Sequence, residues 1–86
     1  MLGKSRVSSR ERLTDLVRVG AMFRRIHDHH LVETARVLSV SEGPLGIPHV
    51  RFSVFFERGR FPVFEDGPRI LSLSSFTEFY HDPVEN

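Results

Sequence analysis

His49-Val50-Arg51-Phe52-Ser53-Val54-Phe55-Phe56 is the stretch that decides the fold. Val50, Phe52, Val54 and Phe56 fall on one side of a pleated backbone, and His49, Arg51 and Ser53 on the other. A repeat of two with apolar residues on one side is the signature of a half-buried antiparallel strand. Pro48 before it and Arg58-Gly59 after it punctuate its ends. The pattern predicts a small β-rich domain with one face in water.

Working towards the N-terminus, Leu31 to Val40 predicts a second strand, with Ala35 and Val37 inward and Arg36 outward. Its alternation slips near Leu38-Ser39, where a bulge would bring Val40 back towards the core. Met22 to Ile26 predicts a strand before it, joined by the polar connection His27-Asp28-His29-His30. Ser8 and Glu11 have capping-box spacing, and Leu13, Leu16 and Val17 follow at helical intervals. The spacing predicts a short amphipathic helix over residues 9–18, stopped at Gly20 and too short to persist undocked.

Working towards the C-terminus, Phe61-Pro62-Val63-Phe64 belongs on an edge or in a loop, because proline cannot donate to a ladder. Glu65-Asp66-Gly67-Pro68 predicts a turn, and residues 69–74 a last strand. Ser74 or Ser75 caps a final helical turn that lines up Phe76, Phe79 and Tyr80. The expected fold is mainly β: a small SH3-like barrel or a curled antiparallel sheet of 4–5 strands, with a short N-terminal helix and a C-terminal helical turn. Residues 1–19 form a basic tail and helix, residues 20–80 the single β domain, and residues 81–86 a polar tail.

Composition narrows the class. An 86-residue chain makes one domain and buries only about 60–65% of its unfolded surface. Eight Phe, one Tyr and no Trp make Phe the main aromatic filler of a thin core. The absence of cysteine excludes disulfides, thiolate metal sites and a cysteine nucleophile, and points to the cytoplasm. No apolar run approaches the roughly 20 residues that span a bilayer, and the basic N-terminus lacks the apolar stretch of a signal peptide. Charge is uneven along the chain. Residues 1–25 carry seven basic side chains against Glu11 and Asp15, whereas residues 57–86 carry six acids against Arg58, Arg60 and Arg69.

The order of these features resembles SH3-like barrels of the Tudor and KOW kind over residues 20–80. The residues that carry the likeness are Gly20 to Arg25, Ala35-Arg36-Val37, Val50 to Phe56 and the closing Leu71-Ser72-Leu73-Ser74-Ser75-Phe76. The Tudor aromatic cage and the KOW order of glycine and basic residues have no counterpart. The resemblance therefore implies a barrel that binds, without naming a ligand. The whole chain is also similar to small bacterial proteins, a likeness that implies no function.

Three groups of residues suggest chemistry. His27 and His29 point to one side of an extended backbone and, with Asp28, are the candidate metal ligands; a turn rich in Asp and His is the simpler reading, and no metal is assigned. Glu33 is placed at the rim, as a salt-bridge partner or a general base lacking the other members of a catalytic site. Arg36 and Arg51, with Arg24 or Arg25 beside them and Phe55 at the same parity, would form a basic face with an aromatic residue. If Phe55, Phe61 and Phe64 were exposed together, they would mark a protein interface.

No G-x-S-x-G, phosphate-cradling loop or catalytic triad pattern is present. The expectation is a non-enzymatic binding module without a cofactor or small-molecule substrate, contacting a protein partner or another copy of itself. The alternative is an RNA- or DNA-binding barrel using Arg24, Arg25, Arg36, Arg51 and Phe55.

Overall fold

Val50, Phe52 and Val54 are buried on one side of an extended segment, as their spacing requires. The computed structural model describes residues 12–61 and 63–85. Within them, strands β1 (Met22–Ile26), β2 (Leu31–Glu42), β3 (Pro48–Arg58) and β4 (Phe64–Ser72) form one antiparallel sheet in the order β1-β2-β3-β4. Helix α1 (Leu73–Phe79) follows directly. The molecule is thus mainly β, with a sheet that does not close on itself among the described residues.

Register follows from side-chain alternation. Phe23 pairs with Ala35, Ala35 with Val54, and Val37 with Phe52, so small and large apolar groups meet across three strands. The shift in pairing between Val37 and Ser39 lies at the expected bulge. Beyond it Val40 stands opposite the buried Val50 but is itself 38% exposed, at the edge of the core rather than inside.

Helix α1 covers this apolar face. Ser72, not Ser74 or Ser75, is its N-cap, accepting a hydrogen bond from the Ser75 amide at 3.2 Å. Phe76 then stands edge-on to Phe23 and Phe52, with ring centroids 5.4 and 5.0 Å away. Tyr80, four residues on, contacts Phe52 in the same manner at 5.4 Å. Aromatic rings prefer such edge-to-face packing because a positive rim meets a negative face. Phe79, at the end of the helix, is about half exposed.

Three expectations are corrected. The N-terminal helix over residues 9–18 is reduced to a 3-10 turn at Leu13–Leu16, with Val17 already extended; the Ser8–Glu11 cap lies outside the described residues. The chain cannot stay helical because Gly20 and Ala21 exchange backbone hydrogen bonds with Val37 of β2. Gly20, at φ 90°, makes the turn that allows this. Leu13, Leu16 and Val17 still pack on the core, so the end of the presumed N-terminal extension belongs to the β domain.

The turn expected at residues 65–68 lies inside β4. Pairing shifts between Phe52 and Val54, where Gly67-Pro68 stands opposite Ser53. A proline is tolerated there because the bulge lies on an edge strand. Gly67 has φ 120°, and a Cβ on it would come within 3.3 Å of Ser53 Cα. Arg69 Nη2 spans the bulge to Asp66 at 2.6 Å.

Residues 82–84 are no loose tail. The Arg24 amide donates to Asp82 O and the Val84 amide to Met22 O, both at 2.9 Å, so the C-terminal segment covers the outer edge of β1. This meets the demand for pairing that every sheet edge presents. No described segment pairs with the outer edge of β4.

Candidate functional site

The sheet has one face under α1 and the other uncovered. Register assigns residues to the uncovered face: Arg24 stands opposite Thr34, Thr34 opposite Phe55, and Phe55 opposite Glu65, forming one row across all four strands. The next row holds Met22, Arg36 and Ser53, and beyond the β2 bulge Arg51 lies between Ser39 and Ile70. At the other end, Ile26, Val32 and Glu57 form a row. Arg24, Arg36, Arg51 and Phe55 therefore share a face, as their parity in sequence requires.

Phe55 differs from the expected exposed platform. It is half-buried, and the Arg36 guanidinium lies over its ring, 4.9 Å from the centroid. The contact places the cation against the negative π face of the ring. Among the described residues, none of Arg24, Arg36, Arg51, Glu57 and Glu65 is ion-paired. Ile26 and Ile70 are 69% and 62% exposed beside them. Beneath these side chains the Ser53 hydroxyl is buried without a hydrogen-bond partner among the described residues.

Arg25 does not join the other arginines. Strand alternation turns it to the helix-covered side, opposite Glu33. There its guanidinium lies 5.5 Å from the Phe79 ring centroid and 5.7 Å from that of Tyr80.

Glu33 is not at a rim. It is 4% exposed, and both carboxylate oxygens are engaged. Oε1 accepts from His27 Nε2 at 2.7 Å and Oε2 from the Tyr80 hydroxyl at 2.5 Å. Buried charge demands such partners, because desolvation is otherwise prohibitive. Arg25 Nη1, 4.0 Å from Oε1, adds attraction without a hydrogen bond. Burial pushes the Tyr80 phenol up to about 12, and the hydrogen bond to Glu33 adds to the shift. At neutral pH Tyr80 is thus a fixed donor, not a base. On β4, the hydrogen bond from Arg69 holds Asp66 below the usual carboxylate range, and the same contact raises Arg69.

The sequence placed Glu33 at the parity of Ala35 and Val37, and that parity was the available signal that it points inward. Its partner Tyr80 lies 47 residues away, beyond any local pattern.

The histidine cluster is divided by the fold. His27 serves Glu33, while His29 and His30 occupy left-handed conformations in the 3-10 turn Asp28–His30, where both are exposed. Among the described residues, no three His, Asp or Glu side chains converge as metal ligands would. The phenylalanines of the β3–β4 hairpin are divided too. Phe64 lies by Phe56 on the covered side, with centroids 6.2 Å apart, whereas Phe55 is on the opposite face. Phe61, exposed, lies in the turn between the strands.

A cavity of about 330 Å³ opens beside Glu33 on the covered side. Phe52, Phe56, Leu71 and Phe79 contribute apolar walls; Arg25, Glu33, Arg69 and Tyr80 contribute its polar groups. No described helix is long and apolar enough to cross a membrane. The sequence matches no protein-family model, and neither a curated protein nor a solved structure shows significant similarity to it.

Proposed function

We propose that the chain is a non-enzymatic binding module that pairs with a second copy of itself through the uncovered face of its sheet. The observation that carries this reading is the set of charges on that face. Arg24, Arg36, Arg51, Glu57 and Glu65 lack ion-pair partners among the described residues and surround Phe55, with Ile26 and Ile70 exposed nearby. Mixed charge around apolar groups suits a protein surface better than a polyanion, because Glu57 and Glu65 would repel phosphates.

The row Arg24–Thr34–Phe55–Glu65 is self-complementary. A two-fold axis along the strands, between β2 and β3, lays β1 of one copy over β4 of the other. Arg24 then meets Glu65, and Thr34 meets Phe55, twice by symmetry. With no cysteine to oxidise, the cytoplasm is the compartment in which we place this module.

Sedimentation equilibrium tests the reading. The unmodified chain should dimerise, Arg24→Glu should weaken the dimer about tenfold, and Arg24→Glu combined with Glu65→Arg should restore it. A monomer at every concentration would overturn the proposal. A monomer that binds mixed oligonucleotides, with affinity falling steeply as salt rises, would replace it with the nucleic-acid reading through Arg24, Arg36 and Arg51.

A further inference from the structure

The cavity beside Glu33 has a construction that self-association does not use. It lies on the opposite side of the sheet from Arg24 and Arg51, at the end of α1, with residues of all four strands in its wall. Its volume, about 330 Å³, falls at the lower end of the range for small-molecule pockets, roughly 300–1,000 Å³. Aromatic and aliphatic walls from Phe52, Phe56, Leu71 and Phe79 favour an apolar body.

Its polar groups select the charge. Glu33 lines the cavity, but its two oxygens are already engaged by His27 and Tyr80, which leaves little capacity for a cationic guest. Arg25 is the reverse case. Its guanidinium has no hydrogen-bond acceptor among the described residues, and Nη1 stands 4.0 Å from Glu33 Oε1. The faces of Phe79 and Tyr80 hold it in place beside the cavity. Arg69 lines the other part of the wall, and its own partner Asp66 is not among the lining residues. Arg69 is paired with Asp66, which leaves Arg25 as the charged group of the wall whose hydrogen-bond donors have no acceptor among the described residues.

We propose that this cavity binds a small hydrophobic carboxylate, an aromatic ring or short alkyl body whose anionic end is received by Arg25. A planar guanidinium with unused donors matches a carboxylate in charge and in fork geometry. The body replaces water against Phe56, Leu71 and Phe79. His27 holds Glu33 Oε1, the oxygen nearer Arg25, and that oxygen stays 4.0 Å from Arg25 Nη1, beyond hydrogen-bond distance.

The experiment uses 3-phenylpropionate and its neutral counterpart 3-phenylpropionamide, titrated into the full chain and followed by amide and aromatic NMR shifts. The carboxylate should bind saturably, moving resonances of Phe52, Phe56, Leu71, Phe79 and Tyr80. The amide should bind about tenfold more weakly, the cost of losing a charge-assisted hydrogen bond. Arg25→Gln should bring the carboxylate down to the level of the amide, and Arg18→Gln, at an exposed position outside both the cavity and the strands, should leave carboxylate binding unchanged. Comparing the two probes on the unmodified protein reads the same contact without any substitution, so a variant that fails to fold leaves the test intact. Equal binding of acid and amide, shifts confined to the uncovered face, or no saturation up to about 10 mM would each overturn the proposal. None of these readouts depends on dimerisation, so the failure of one proposal is distinguishable from that of the other.

Discussion

The Tyr80 hydroxyl donates to Glu33 Oε2 at 2.5 Å, tying the end of the helix to the second strand across 47 residues of sequence. It is a charge-assisted bond in a buried setting, where a carboxylate without its donors would be costly. His27, on the other oxygen, fixes the carboxylate from the end of β1. The three side chains join strand, turn and helix around one charge.

Tyr80→Phe removes the donor and keeps the ring. Glu33 then retains His27 but loses its second partner, and the expected destabilisation is about 1.5–3 kcal/mol. Urea unfolding of the two proteins measures it. A change below about 0.5 kcal/mol would mean that water replaces the hydroxyl at no cost.

Alkaline pH acts on the same group. The phenol is raised in the folded state, to about 12 from 10.0, so the folded protein holds its proton after the unfolded chain has lost it. Between those values the unfolded state binds fewer protons, and linkage makes stability fall as pH rises. The contribution of Tyr80 is complete below pH 10 and is lost on rising through about 12. Denaturant midpoints measured across this window should fall more steeply for the unmodified protein than for Tyr80→Phe.

Ser53 invites the opposite change. Its hydroxyl is buried without a partner among the described residues, so Ser53→Ala removes a desolvated polar group and little volume. The variant should be more stable by about 1 kcal/mol. Chemical denaturation decides this, and a loss of stability would show that the hydroxyl has a partner, such as an ordered water.

Gly67→Ala should be costly. The position has φ 120°, and the added methyl would press within 3.3 Å of Ser53 Cα, on a backbone that cannot yield without disturbing β3. A loss of about 1–3 kcal/mol is expected. Thermal unfolding gives the measurement; an unchanged midpoint would show that β4 repositions freely at its bulge.

Much of the architecture was legible as local alternation. Met22 to Ile26 forms a strand as its composition predicts, and the parity of Val50, Phe52 and Val54 gives the buried face of β3. Arg36, Arg51 and Phe55 share the uncovered face for the same reason: in an extended chain every second side chain points the same way, whatever lies elsewhere. Turns were less legible. Residues 65–68 have turn composition yet lie within a strand, because β3 supplies a ladder that tolerates Gly67-Pro68 as a bulge.

What sequence determined by itself was the direction of each side chain along a strand, since that depends only on near neighbours. Tertiary structure alone decided which charges could be buried and which edges closed. Glu33 lies inside because Tyr80 and His27 arrive to receive it, Arg25 leaves the other arginines for a cavity wall, and residues 82–84 cover β1 instead of trailing away. Each of these depends on groups distant in sequence meeting in space, where desolvation and backbone pairing are settled together.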